Sequence, residues 1–322
     1  MKSQQERQFE VNADQNGLRL DQVLAQLIPE ISRARLQIWI REGRVRVDQA
    51  QRHSKDRMRI GERIAVQIAD EVVVSACVAE PIALEIIHED EAILVINKPS
   101  GLVVHPAAGH SSGTLQNALL YHCPDLNQIP RSGIVHRLDK LTSGLLVVAK
   151  TLPAHTSLVR QLQARQMKRD YLALVDGVLV SGGKVDAPIG RHPGDRKRMS
   201  VREGGRESVT HYRIAERFIH HTLLHVSLET GRTHQIRVHC AYIKHPITGD
   251  PVYNPRRRIP AKTDPATKAL LHAFERQALL AERLTLLHPS EQKEMSWEAP
   301  VPLDFSQLIL ALRGGAKWGA AK

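Results

Sequence analysis

The chain has 322 residues, room for about two domains, and its 42% hydrophobic content excludes a mainly disordered polymer. Forty-five Lys and Arg against 34 Asp and Glu leave a formal charge of +11, which points to a polyanionic partner such as nucleic acid. No apolar run approaches the ~18 residues of a membrane span, and the first ten residues lack the apolar core of a signal peptide, so a cytoplasmic protein with no membrane partner is expected.

Leu20, Val23, Leu24 and Leu27 follow the spacing of an amphipathic helix, which Pro29 ends. Ser32 is placed to cap a second helix carrying Leu36, Trp39 and Ile40, and Gly43 to close it in a left-handed turn. Val45 and Val47 alternate with Arg44 and Arg46 as on a half-buried strand, and residues 59–66 read as its partner. Residues 33–63 hold ten Lys or Arg against four acids, and Arg33, Arg35, Arg41 and Lys55 are available to face phosphates. Any one of them alone is a solvated surface charge; the cluster reads as a binding face. Residues 70–82 look like a connecting strand and linker. Beyond them come a short apolar strand at 92–96, a turn at 97–101 and a strand at 102–104. Strands at 145–149 and 171–175 follow, with a helix between them over 153–167. Strands interleaved with few long helices predict an α+β fold, a mixed and largely antiparallel sheet with flanking helices, behind a small N-terminal α/β unit.

Cys77, Cys123 and Cys240 are far apart, so neither a disulfide framework nor a Cys-rich zinc module is expected. His136 and Asp139, or His234 and His239, match no metal-ligand set, and no phosphate-binding Gly loop or GxSxG is present. Neither a metal nor a cofactor is therefore expected. Two polar clusters remain. His136, Arg137, Asp139 and Lys140 lie within five residues between apolar strands, the way a rigid sheet presents a site on a loop; a plain polar turn is the competing reading. The second runs from Glu229 to His239. There Thr233 is expected to cap a helix over 234–243, with Arg232 and Arg237 near a phosphate seat at its N-terminus.

The stretches LEIIHEDEAILVINKPSGLVVHP (84–106), GIVHRLDKLTSGLLVVAKT (133–151), MKRDYLALVDG (167–177) and LETGRTHQIRVHCAYIKHPITGDPVY (228–253) closely resemble the RluA family of RNA pseudouridine synthases. The N-terminal segment resembles an S4-type RNA-binding domain through Leu18 to Asp21, Ser32 to Arg35, and Gly43 to Val45. Leu141 departs from the polar residue expected after HRLDK. The resemblance implies an S4-like domain over 15–75, a linker at 76–83, a catalytic domain over 84–312 and a disordered tail at 313–322. It implies isomerisation of uridine to pseudouridine in 23S rRNA, in the stem-loop that contacts the small subunit, with free rRNA or an assembling large subunit as partner. A monomer is expected.

That reaction breaks the N1–C1′ bond, turns the uracil over and joins C5 to C1′, so no atom is gained or lost. The resemblance makes Asp139 the catalytic aspartate, Arg237 its basic partner and Tyr171 the ring that stacks on the extruded base, with Arg137 and His136 in support. A carboxylate can attack or stabilise an oxocarbenium-like sugar, or take a proton from sugar or base. One ring at the site fits the scarcity of aromatics, 4% of the chain. A non-catalytic rRNA-binding assembly factor would explain the charge but not the two coupled motifs. An RNA-directed hydrolase using His and Asp would release base or cut the strand.

Overall fold

The computed structural model describes residues 5–28, 31, 33–68, 77–106, 112–195, 198–256, 259–261 and 263–314, and the chain divides into two units, Met1–Ala76 and Cys77–Lys322. In the first unit, β1 (Gln5–Glu10) precedes α1 (Leu20–Leu27) and α2 (Arg33–Arg41), and β2 (Val45–Val47), β3 (Ala50–Gln51) and β4 (Arg63–Ile68) follow. Leu20, Val23 and Leu24 share one face of α1 and are buried in a cluster with Leu36, Trp39 and Ile40 of α2. Gly43, at φ +76°, is the left-handed residue after α2, and the Arg44 N–H closes onto the Trp39 carbonyl at 3.0 Å. The strands pair antiparallel in the order β1-β4-β2-β3. Buried Asp21 accepts from Gln37 Nε2 at 2.5 Å and Arg19 Nε at 3.2 Å, which ties α1 to α2.

This unit begins earlier than the sequence suggests. Phe9 is the one apolar residue in β1, so the strand shows no alternation to read. β4 starts at Arg63, four residues late, after a turn in which Glu62 accepts from the Arg59 N–H at 2.8 Å. Pro29, Ser32 and residues 70–76, expected as helix stop, cap and connector, lie outside the described residues.

The second unit contains, in order, β5 (Ile86–Glu89), β6 (Ile93–Lys98), α3 (Leu115–His122), β7 (Ser143–Ala149), α4 (Leu152–Gln163), β8 (Lys168–Asp176) and β9 (Gly183–Asp186). Then come β10 (Ile189–Arg191), β11 (Met199–Val201), β12 (Val209–Arg217), β13 (His221–Leu228) and α5 (Gln235–Tyr242). It closes with α6 (Pro265–Ala273), β14 (Leu279–Leu287), β15 (Glu294–Glu298) and α7 (Leu303–Gly314). Nine strands form one sheet in the order β5-β6-β7-β14-β8-β13-β12-β9, with β15 also on β14. The fold is the α+β architecture expected, a mixed and largely antiparallel sheet with flanking helices. Among the described strands of this sheet, the parallel pairing joins β7 to β14 over only two positions, Leu280 with Ser143 and Ala281 with Gly144. Every residue of β7 is buried, as for a strand covered on both faces.

Local details differ from the sequence reading for identifiable reasons. Residues 77–83, expected as linker, are strapped to α3: Asn117 Nδ2 donates to the Val78 carbonyl at 2.7 Å, and the Glu80 N–H donates to the Asn117 carbonyl at 3.1 Å. Residues 102–104 make no strand, only a bridge from Val103 to Thr114. α4 ends at Gln163, because Arg165 turns left-handed at φ +57°. Arg313 and Gly314, assigned to a tail, complete α7, and Arg313 is held by Glu216 at 2.7 Å; residues 315–322 lie outside the described residues. Among the described residues no helix is long and apolar enough to cross a membrane.

Candidate active site

Asp139 sits on a loop that is held from both ends. On the entering side, Arg131, Ser132 and Gly133 take positive φ values of 56°, 51° and 79° in succession. A Cβ on Gly133 would collide with the Ala149 carbonyl, so only glycine lets the chain pass this close to β7. The close pass lays Ile134 against Val148 as a bridge, and His136 Nε2 accepts the Val147 N–H at 3.1 Å. On the leaving side, the turn after β6 grips the chain. Lys98, fully buried, donates from Nζ to the carbonyls of Pro99 (2.7 Å), Leu102 (2.9 Å) and Lys140 (3.2 Å). The Gly101 N–H also reaches the Lys140 carbonyl at 2.8 Å, and Ser100 Oγ donates to the Leu141 carbonyl at 3.0 Å. Burial drives the Lys98 ammonium down to about 7, with Asp139 opposing that shift and Arg276 adding to it.

α5 delivers the countercharge. Arg237 donates from Nη1 to Asp139 Oδ2 at 2.9 Å. Its other edge is gripped by Asp250, with Nε to Oδ2 at 2.7 Å and Nη2 to Oδ1 at 2.9 Å, a bidentate pair that sets the plane of the guanidinium. Burial works against the Arg237 charge, but the Asp250 hydrogen bonds and the two carboxylates offset it and hold the group above its usual range. Asp250 is itself fully buried and accepts the N–H groups of Val252 and Tyr253 at 2.8 and 3.0 Å. The Arg237 carbon lies 5.0 Å over the Tyr253 ring. Desolvation is therefore met by two carboxylates at the edges of one guanidinium and an aromatic ring over its face.

The N-terminus of α5 differs from the expected phosphate seat. His234 rather than Thr233 occupies the cap, in a left-handed conformation at φ 58°. Gln235 Oε1 accepts from the Arg232 N–H at 3.0 Å and from Thr230 Oγ1 at 2.8 Å, which satisfies groups an anion would have needed.

These elements enclose a cavity of about 820 Å³ lined by Asp139, Arg237, Tyr171, His136, Arg137 and His234, with Arg131, Arg165, Arg169 and Arg232 around them. That size lies within the ~300–1,000 Å³ of ligand clefts. Tyr171 projects from β8, 5% exposed, and burial pushes its phenol up, so the ring stays neutral at physiological pH.

A family model described as RNA pseudouridylate synthase matches residues 92–242, a span that includes Asp139, Tyr171 and Arg237. The "Ribosomal large subunit pseudouridine synthase D" of Pseudomonas aeruginosa is 54% identical over 308 residues, covering 96% of each chain. The chain belongs to the RluA-family RNA pseudouridine synthases. It is an isomerase acting on RNA uridine. The protein of the same name from Vibrio vulnificus is 49% identical over 95% of this chain and 94% of its own. Among solved structures, human RNA Pseudouridylate Synthase Domain Containing 4 is 26% identical with a TM-score of 0.56, covering 71% of this chain and 93% of that one.

Of the residues singled out from sequence, Asp139, Arg237, Tyr171, Arg137 and His136 line one cavity. His136 lines the cavity while bracing the loop behind it. Its Nε2 is committed to Val147, and burial, helped by the Arg169 charge, pushes the imidazole down to about 3. It is a neutral support for the loop. Leu141, the departure from the family pattern, offers its carbonyl to Ser100. Arg33, Arg35, Arg41 and Lys55 belong to the N-terminal unit. Arg41 is exposed, with its Nε 3.4 Å from the Gln37 carbonyl, and Lys55 is exposed before β4; the side chains of Arg33 and Arg35 lie outside the described residues. Sequence reasoning missed Asp250, Lys98, His234 and Tyr253. Asp250 follows a Gly in the TGDPVY stretch, and nothing in its spacing from Arg237 announces the pair.

Proposed function

We propose that this chain converts specific uridines of 23S rRNA to pseudouridine, free or within an assembling large subunit, in the stem-loop that contacts the small subunit. The observation that carries the reading is the Asp139–Arg237–Asp250 chain at the wall of the cavity. The target uridine leaves its stack, at a cost of a few kcal/mol, and enters this cavity. Tyr171 offers its ring to the uracil, while Arg137 and Arg232 supply positive charge for flanking phosphates.

Asp139 then works at the ribose. Arg237 holds Oδ2, so Oδ1 is the oxygen left to attack C1′ or to take a proton from the sugar. The N1–C1′ bond breaks with its electron pair on uracil. The freed base rotates, C5 bonds to C1′, the C5 proton is lost and N1 gains one, so the product is an isomer. The N-terminal unit, S4-like in its motifs, adds phosphate contacts through its basic residues. The experiment is incubation of the purified protein with unmodified 23S transcript, followed by carbodiimide mapping. Pseudouridine in that stem-loop is expected. Bound but unmodified RNA would favour the assembly-factor reading, and abasic or cleaved RNA would favour a hydrolase.

A further inference from the structure

Asp139 has a second neighbour besides Arg237. His234 Nε2 lies 3.9 Å from Asp139 Oδ1, the oxygen that Arg237 leaves free. The other ring nitrogen, Nδ1, is 2.8 Å from the Tyr253 hydroxyl. That hydroxyl accepts the Met199 N–H at 2.9 Å, so its own hydrogen is available to His234 Nδ1. A neutral ring that accepts at Nδ1 carries its proton on Nε2, directed at Asp139. The two rings meet edge to face, 5.7 Å apart and 80° inclined, which restrains the imidazole. Burial also lowers the His234 imidazole from its usual value, against the pull of Asp139 and Asp250 and with the push of Arg237 and Arg137. His234 also occupies a left-handed backbone position at φ 58°, uncommon for residues other than Gly and Asn, which fixes the direction its side chain leaves the backbone.

We propose that His234 and Tyr253 form a positioning pair: Tyr253 fixes His234 as the Nε2–H tautomer, and His234 steers Asp139 Oδ1 toward the ribose while Arg237 holds Oδ2. At 3.9 Å the contact is longer than a hydrogen bond; a closure of about 1 Å on substrate entry makes it one. The inference rests on the site being the one that isomerises uridine.

Two substitutions of His234 make opposite predictions. Asn tolerates the left-handed backbone but is too short to reach Asp139. Gln is less suited to that backbone, but its amide can place an N–H where Nε2 stands. Single-turnover conversion of a 23S stem-loop transcript at saturating enzyme gives the rate of the chemical step, and filter binding gives affinity. His234→Asn is expected to lower the rate about 30-fold, a loss most of which His234→Gln recovers. Tyr253→Phe, which frees the tautomer, is expected to lower it about fivefold. RNA affinity is expected to stay within about threefold in all three. A His234→Asn rate equal to or above that of His234→Gln would overturn the positioning role, as would wild-type rates in both or losses confined to affinity. Failure of the wild type to convert any uridine would instead overturn the functional reading beneath it.

Discussion

Asp250 is fully buried behind the cavity wall, yet the geometry predicts that it governs the reaction through Arg237. Replacing it by Asn keeps the size and leaves one carbonyl oxygen. Placed at the Oδ1 position, that oxygen still accepts from Arg237 Nη2, Val252 N–H and Tyr253 N–H, three of the four contacts. The fourth is lost, because the new amide faces Arg237 Nε, which donates to Oδ2 at 2.7 Å in the native site. A charge-assisted hydrogen bond contributes about 1.5–3 kcal/mol, and breaking a buried ion pair costs about 3–5 kcal/mol. Because Asp139 still pairs with Arg237, the lower part of that range applies, a loss of about 3 kcal/mol in unfolding free energy. Arg237 then loses its fixed plane, and Asp139 its fixed partner, so kcat is expected to fall 10- to 100-fold, about 1.4–2.7 kcal/mol of barrier. Urea unfolding with linear extrapolation measures the first effect, and single-turnover conversion at saturating enzyme the second. A folded Asp250→Asn protein with wild-type kcat would refute the claim that this brace serves catalysis.

Three further outcomes follow from the same physics. Lys98→Met removes the Nζ donor from the Pro99 and Leu102 carbonyls, while the Lys140 carbonyl keeps the Gly101 N–H, and should cost about 3 kcal/mol in denaturant unfolding. The folded value near 7 lies below the free value of 10.5, so between those pH values the unfolded chain binds a proton that the folded one has shed; wild-type stability gains from this group as pH rises through that window, and equal pH slopes for wild type and variant would contradict it. Asp90 is pushed up by burial but held at about 2 by the Ile93 N–H, His88, the Ala92 N–H and His288; its contribution is fully present above about pH 4 and lost as pH falls toward 2, so Asp90→Asn should flatten acid unfolding over that range in a thermal melt. Neutralising Arg41 and Lys55 together to Gln should make RNA binding shallower in log salt by about 1.5, and an unchanged slope would mark both as solvated charges.

The parts of the fold legible in the sequence are those with a repeated apolar signal. Leu20, Val23 and Leu24 mark α1, and the continuous run of β7 marks a strand covered on both faces. β1 was not legible, because an exposed strand with one apolar residue has no period to read. Residues 77–83 read as linker because their anchors are backbone hydrogen bonds to Asn117, and hydrogen-bonding partners leave no trace in hydropathy. At the site, the HRLD and TGRTHQIRVH motifs point to Asp139 and Arg237 through family resemblance. Chemistry alone left a presented site and a plain polar turn as rival readings of the Asp139 stretch. Asp250, Lys98 and Tyr253 were hidden for a common reason: each acts through a contact across the fold, to Arg237, to the Lys140 carbonyl and to His234. The cap on α5 falls one residue later than expected, at His234, and the Gln235 side chain folds back to accept the Arg232 N–H.

The central claim is that the Asp139 carboxylate performs the isomerisation in the cavity shared with Tyr171 and Arg237. Asp139→Asn tests it most directly, because the amide preserves size and can still accept from Arg237 while the charge is gone. With unmodified 23S transcript in excess over wild-type and variant protein, pseudouridine formation is expected to fall below detection in the variant. RNA affinity is expected to stay within about tenfold, a margin of 1.4 kcal/mol. Turnover by Asp139→Asn above a few per cent of wild type would contradict the account.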